Sequence, residues 1–558
     1  MPAPFPAAPE IGRPAASGRR QGRWRQAMML ALAMGCGFLV ANNPFRPSDN
    51  NPDATARGYL RFKEILSYVD RDYADSVDTE QLADYAVVQM LEKLDPHSVY
   101  IPARDREKSD AFLQSDFDGV GIEFNLFRDT MTVVAPLSGG PAEQAGIQPG
   151  DQVLSIANKR VSGARLSTGR LTELLRGPRG SNVVMELRRR GLARPLILSI
   201  ARSRIPNSSV DAAYLVDEQT GYIKVSRFAS NTYDEFKTAL VDLRRQGLTR
   251  LVLDLRGNPG GYLDRATRLA DEFIGGSRKI VYTDGKGDQY DSQTYARVAG
   301  EFEEGALVVL VDEGSASAAE VVAGALQDHD RAIVVGRRTF GKGLVQQPIA
   351  LSDGGELRLT IARYYTPAGR SIQKPYGANY AEYSRELTGR SARGELASAD
   401  SVHFAKELRF RTDHGRTVYG GGGIMPDVFV ARDTLANSAY FTRLMSHGVA
   451  RAFALSFYQA HKAELEGLRF EQFNATFRIT DAQLVSLAAQ AAQDGVTTDA
   501  AAMRRCAPLL RNQLKAFIAR SAFGPVAYYT VLREQDAELQ RALHAVGDST
   551  AQLALLGK

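Results

Sequence analysis

The chain has 558 residues, 44% of them apolar and 24% charged, too long for one hydrophobic core and too apolar for a disordered polymer, so several folded domains are expected. The formal net charge of +5 sits at one end, where Arg13, Arg19, Arg20, Arg23 and Arg25 cluster; the rest is nearly neutral, which excludes the broad basic surface of a nucleic-acid binder. Two cysteines, Cys36 and Cys506, give no disulfide framework, and the seven histidines fall nowhere at metal-ligand spacing, so no metal and no cofactor is expected.

In chain order, residues 1–26 read as a basic cytoplasmic tail before an apolar run at 27–41. Arginines ahead of an apolar segment form an export signal. The run has about 15 residues against the ~17–25 usual for a span. It ends in Leu39-Val40-Ala41, which lacks a small-x-small cleavage pattern. A cleaved signal peptide and a retained membrane anchor therefore both stay open.

Residues 42–104 read as helices. Tyr59, Phe62, Ile65, Leu66 and Val69 recur at helical spacing, Leu82, Ala86, Met90 and Leu94 every four residues, and Pro96 in Leu94-Asp95-Pro96-His97-Ser98 stops the pattern. Residues 105–203 change to short strands: Gly119-Val120-Gly121-Ile122-Glu123-Phe124 is a glycine turn entering a strand, and 131–134 and 153–157 are further strands. Short helices lie before Gly146 and at 171–175. That spaced pattern resembles a PDZ domain, β-rich with two helices. The resemblance implies that Gly119, Val120, Gly121 and Ile122 hold a peptide's terminal carboxylate on backbone N–H groups while the peptide adds as an extra strand.

Residues 204–430 alternate strands and helices as an α/β core. A buried strand at 251–255 leads to Asn258-Pro259-Gly260-Gly261 and a helix from Leu263. A strand at 306–311 and the turn Asp312-Glu313-Gly314 precede Ser315-Ala316-Ser317-Ala318-Ala319-Glu320, which opens the next helix. After a strand at 331–335 comes Phe340-Gly341-Lys342-Gly343, with Gln346 four residues beyond the lysine. Residues 356–361 alternate in period two, and 375–418 read as a polar, irregular surface insertion. Residues 431–558 read as a helical domain, with Val449, Phe453 and Phe457 sharing one face. The fold class is thus α/β multidomain, with helical segments at both ends.

A serine at a helix N-terminus and a lysine beyond the next strand are the parts of a serine–lysine hydrolase. A serine hydroxyl needs a base. A lysine serves when a dry, apolar setting keeps it neutral, and an uncharged Gln346 orients the amine without restoring its charge. The helix N-terminus and the 258–261 glycines offer N–H groups for an oxyanion. Pattern alone does not choose between Ser315 and Ser317. Gly336-Arg337-Arg338-Thr339-Phe340-Gly341-Lys342-Gly343 has the spacing of a phosphate-binding loop, but Gly343 stands where a Ser or Thr is needed, and a strand follows where a helix is required.

These motifs, with Leu94 to Ser98, Leu255-Arg256-Gly257, Tyr365-Thr366-Pro367-Ala368-Gly369-Arg370-Ser371-Ile372-Gln373 and Gly422-Gly423-Ile424-Met425-Pro426-Asp427, resemble those of the carboxy-terminal processing peptidases, or tail-specific proteases. The resemblance covers residues 55–430. It implies Ser317 as nucleophile, Lys342 as general base and Gln346 as the orienting third member, with Gly260 or Gly261 and Ala318 forming the oxyanion hole. Ser315 is then a helix cap, Asp328 a structural residue at the helix end, and Glu320 a prop for the loop. Arg176 is a candidate contact between the PDZ domain and the core.

The activity implied is that of an exported serine endopeptidase cutting proteins near their C-termini, on the periplasmic side of a bacterial cell envelope, either anchored in the inner membrane or secreted. Its partners would be protein or peptide substrates with exposed apolar C-termini, and a second copy or an adaptor. A non-catalytic PDZ-bearing adaptor that captures tails is the alternative.

Overall fold

The computed structural model describes residues 52–557 except 128, 138, 378–379 and 434–437. The basic tail, the 27–41 run and Cys36 lie outside the described residues. Among those described, no helix is long and apolar enough to cross a membrane. The chain divides into two units between Ala83 and Asp84.

Helix Pro52–Asp72 follows the predicted periodicity, but Tyr59, Phe62 and Ile65 on its apolar stripe are exposed. In helix Thr79–Glu92 the buried residue is Leu91, not the row Leu82, Met90 and Leu94, which is exposed. Spacing reports the helix, while burial depends on a partner that spacing does not name.

The larger unit is built on a six-stranded sheet ordered Val210–Leu215, Thr220–Val225, Arg250–Asp254, Ala306–Val311, Ile333–Gly336 and Val428–Phe429. Only the first pair is antiparallel. Both faces are covered, which is why its strands read as unbroken apolar runs. Leu251, Leu253, Leu307 and Val309 face helices Thr232–Arg245, Leu263–Asp271 and Ala318–Asp328. Val252, Val308 and Leu310 face the other way, onto Leu539, Ala542, Ala545 and Val546 of helix Ala537–Gly547. The last part of the predicted C-terminal helical domain is therefore a layer of the core.

A second, five-stranded sheet stands beside it, with Glu356–Tyr365 pairing Leu344–Ala350 and Lys279–Gly285. Val99–Ile101 adds antiparallel to Glu356, Leu357 and Arg358. This corrects the all-helical reading of 42–104: the three-residue strand is too short to print a period of its own. Residues 375–418 are also corrected. They hold helix Tyr380–Ala392 and a small hairpin, Arg409–Arg411 with Thr417–Tyr419, and Arg390 of that helix is buried.

The PDZ sheet runs Ile122–Phe127, Thr130–Pro136, Gln152–Ile156, Asn182–Arg188, Leu196–Ala201, with helices Pro141–Gln144 and Thr168–Leu175. A ribbon of Asp116–Gly119 against Ser203–Pro206 connects it to the core. The helices from Ala439 to Phe523 form their own apolar cluster, which seats Phe127 of the PDZ edge strand. Arg520 pairs with Glu123 of that strand at 2.7 Å.

Arg370 is fully buried, pairing with Asp328 at 2.7 Å and donating to Gln327 Oε1 at 2.7 Å and Tyr419 O at 3.0 Å. Its removal leaves the Asp328 charge buried without its partner. Arg370→Ala is therefore expected to lower unfolding stability by about 3–5 kcal/mol, measured by urea denaturation; a loss below about 1 kcal/mol would show that the pair is dispensable.

Candidate active site

Three loops leave the carboxyl ends of adjacent parallel strands, where open α/β sheets place their sites. They follow Arg250–Asp254, Ala306–Val311 and Ile333–Gly336, and carry Gly260 and Gly261, Ser317, and Lys342.

Ser317 is the N-cap of helix Ala318–Asp328 with φ 55° and ψ −116°, and its hydroxyl makes no cap bond. A positive φ at a non-glycine residue is strained. Ser315 is not the cap expected from the sequence. Its hydroxyl donates to Leu255 O at 2.8 Å and accepts the Asp312 N–H at 3.0 Å, stitching the serine turn to the neighbouring strand end. Ala316 N–H donates to Asn258 O at 2.8 Å, tying the serine loop to the glycine loop.

The glycines divide their work. Gly260 (φ +98°) lies so close to the serine that a Cβ there would stand 2.7 Å from Ser317 Cβ, and its N–H already donates to Asn258 Oδ1 at 2.9 Å. A Cβ on Gly261 (φ +141°) would stand 2.1 Å from Phe228 O. The N–H groups of Gly261 and Ala318 have no acceptor among the described residues.

Glu320 joins the serine helix to the lysine loop. Its buried carboxylate accepts N–H from Ser317 at 2.9 Å, Gly341 at 2.7 Å and Lys342 at 2.8 Å, and the Thr339 hydroxyl at 2.5 Å. Burial pushes its pKa up to about 7, against those donors. Tyr364, also buried, brings its hydroxyl to the Ser317 carbonyl at 3.0 Å and to the Lys342 carbonyl.

Lys342 Nζ donates to Gln346 Oε1 at 2.7 Å. Burial lowers the lysine pKa, although Glu320 and Asp95 pull the other way. The other end of the Gln346 amide, Nε2, donates to the main-chain carbonyl of His97, which fixes which end faces the lysine. The His97 loop is in turn held by Asp95, whose carboxylate accepts the N–H of His97 and of Ser98 (2.8 Å each), the Ser98 hydroxyl at 2.6 Å and the Thr360 hydroxyl at 3.0 Å. The His97 ring bonds the Tyr383 hydroxyl at 2.7 Å. Burial, helped by the Lys342 charge, depresses its pKa to about 4, so it stays neutral at ordinary pH.

Ser317, Ala318, Gly260, Gly261, Lys342 and Gln346 all line one cleft of about 540 Å³. Phe112 and Leu113, on the approach to the PDZ ribbon, line it too. Sequence reasoning missed three supports: Asp95, Tyr364 and Arg390. The last donates to the carbonyls of Thr339 at 2.7 Å and Phe340 at 3.0 Å, from a segment read as a surface insertion. The Leu94 to Ser98 motif was a signal for the first; nothing in the local pattern marks the others.

In the PDZ domain, Gly119 ends the ribbon strand and Ile122 begins the edge strand of the sheet. The carbonyls of Val120 and Gly121 accept from Ala142 and Leu137 at 2.9 Å each, while their own N–H groups have no acceptor among the described residues. Arg176 stacks over Phe117 of the ribbon, 4.9 Å from the ring centre, so its contact is with the connection between domains.

Comparison with known proteins agrees with this architecture. Peptidase family S41 matches residues 219–379, a PDZ domain residues 132–189, and a family of unknown function residues 440–524. The chain is 37% identical to the carboxy-terminal-processing protease of Bartonella bacilliformis over 58% of its own length and 74% of that protein's. It is 33% identical to the carboxy-terminal processing protease CtpB of Bacillus subtilis over 56% of its own length and 65% of that protein's, slightly under two thirds of the latter. Among solved structures, a photosystem II D1 C-terminal processing protease is 28% identical with a TM-score of 0.34, covering 67% of this chain and 94% of that one. The serine-bearing α/β core with its PDZ module is that of a serine peptidase, and the chain belongs to the carboxy-terminal processing proteases of peptidase family S41.

A buried amine with a neutral partner titrates early. In acylation by an amine-directed reagent, read peptide by peptide by mass spectrometry, Lys342 should show its midpoint below the ~10.4 of a free lysine. Gln346→Glu sets a carboxylate beside the ammonium, favours the charged form and should move that midpoint up by about 1–3 pH units. An unmoved midpoint would show that Gln346 does not govern the amine.

Proposed function

We propose that this protein is an exported endopeptidase that cuts proteins near their C-termini with a Ser317–Lys342 dyad. The observation that carries the proposal is the buried Lys342 amine held at 2.7 Å by the uncharged Gln346, in the cleft that Ser317 also lines. Ser317 Oγ attacks the scissile carbonyl as neutral Lys342 takes its proton. The developing oxyanion is received by the N–H groups of Gly261 and Ala318, the two left without an acceptor. Lys342 then delivers the proton to the departing amine, and water, activated by the same lysine, releases the acyl group and regenerates Ser317.

Gln346 orients the amine, and Gly260 lets the glycine loop close on the serine. The 119–122 loop receives the substrate's terminal carboxylate on Val120 and Gly121 N–H, and the last residues add to the Ile122–Phe127 edge. The arginine-flanked 27–41 run supports placing the enzyme on the periplasmic side of a bacterial envelope, by anchor or by export and cleavage.

Ser317→Ala and Lys342→Ala, assayed on an unstructured protein with an apolar tail, should each lose about 10⁴–10⁶-fold in kcat. Full activity in either variant overturns the dyad, and failure of a serine-directed acylating probe to label the wild type would favour a tail-binding adaptor. Amidating the substrate's C-terminus removes the charge-assisted bonds of the loop, worth about 1.5–3 kcal/mol, and should weaken tail binding by about 10–100-fold.

A further inference from the structure

Among residues that do not line the cleft, an ion cluster meets all three of the loops that leave the strand ends. Arg256, which opens the glycine loop, places Nη2 2.6 Å from Asp254 and 2.7 Å from Asp536, and Nη1 2.5 Å from Glu538. Arg337, at the root of the lysine loop, pairs with Glu313 of the serine turn at 2.8 Å and with the same Glu538 carboxylate. Lys224 completes the group on Asp254 at 3.0 Å. Burial drives the Asp254 pKa up, but Arg256 and Lys224 more than reverse this and hold it below the ordinary carboxylate range.

Asp536 and Glu538 come from a distant part of the chain, the start of helix Ala537–Gly547, where the helix dipole favours carboxylates. Asp536 is its N-cap and accepts the Leu539 N–H at 2.9 Å. The helix itself is fastened to the core sheet by Leu539, Ala542, Ala545 and Val546, so its two carboxylates are presented from a rigid support. Glu538 lies between two guanidiniums. Removing its charge would take away the anion that the two guanidiniums share, leaving Arg256 to Asp254 and Asp536 and Arg337 to Glu313, and the two cations would separate.

We propose that Glu538, with Asp536, is a positioning residue: it sets the distance between the glycine loop and the lysine loop, so the last helices of the chain form part of the catalytic centre. The inference rests on the peptidase reading above. Catalytic geometry is sensitive to shifts near 1 Å, worth about 10²-fold in rate. Glu538→Gln should therefore lower kcat by about 10–100-fold with KM within twofold, because neither the cleft lining nor the PDZ loop is touched.

The test measures kcat, KM and the rate of labelling by a serine-directed acylating probe, each normalised to the folded fraction from circular dichroism, for wild type, Glu538→Gln, Glu538→Asp and Asp481→Asn. Asp481 lies exposed on the same helical region and its variant should match wild type. Glu538→Asp keeps the charge one methylene back, so it should recover part of the lost kcat; it also carries the test if Glu538→Gln does not fold. Wild-type kcat per folded molecule in Glu538→Gln, or in Glu538→Asp where only that variant folds, would overturn the inference. So would a deficit that vanishes on normalisation. A wild type no more active than Ser317→Ala would instead sink the peptidase reading.

Discussion

A carboxylate shut away from solvent accepts four hydrogen bonds where the serine helix meets the lysine loop. Glu320 takes the N–H groups of Ser317, Gly341 and Lys342 and the hydroxyl of Thr339. Every partner is a donor, so the arrangement suits the ionised form, while burial resists it and lifts the pKa to about 7. Its bonds tie Ser317 to Lys342, two residues on different strand exits whose loops also meet where the Phe340 N–H donates to Ser315 O at 2.9 Å. Tyr364 repeats the link from the opposite side through the two carbonyls. Donors on one face and an acceptor on the other give the pair a fixed register.

The same carboxylate complicates the chemistry it supports. A negative charge near Lys342 favours the ammonium, as does Asp95, yet the lysine pKa falls because burial outweighs both. The partner at the amine itself is decisive. Gln346 offers an oxygen with no formal charge, and its amide cannot turn round because Nε2 is held by the His97 carbonyl. Asp95 therefore serves the lysine indirectly: it fixes the loop that fixes the amide. Its carboxylate is occupied by Ser98, Thr360 and backbone N–H groups, so its charge is partly compensated before it reaches the amine.

Much of this was legible in residues that act locally. The glycine loop, the helix opening at Ser317, the lysine between glycines and the edge strand after Gly121 each carry their conformational demand in their own sequence. The pattern left Ser315 and Ser317 undecided, because both can head a helix; the bond from Ser315 to Leu255 and the place of Ser317 at the N-cap, lining the cleft, separate them. Arg390 and Tyr364 were not legible, since each contributes through partners far along the chain and neither belongs to a motif. The acidic pair Asp536 and Glu538 reads in sequence as an ordinary helix start; its meaning comes from Arg256 and Arg337, two hundred residues or more away. Apolar periodicity failed in the other direction in helix Pro52–Asp72, whose stripe stands exposed.

The strain at Ser317 explains why the glycine loop has the composition it does. Holding a non-glycine residue at φ 55° costs of order 1–3 kcal/mol and persists only where surroundings over-determine it. Here the Ala316 N–H bond to Asn258 O on one side and the Glu320 bond to Ser317 N–H on the other clamp both flanks of the residue. The turn that results throws the Ser317 side chain toward the glycine loop, into the space a Cβ of residue 260 would need. Gly260 is thus required by the serine's own conformation, not as a donor, since Asn258 already holds its N–H. The two consecutive glycines answer separate demands: the first yields room to Ser317, and the second, pressed against Phe228 O, leaves its N–H without an acceptor among the described residues.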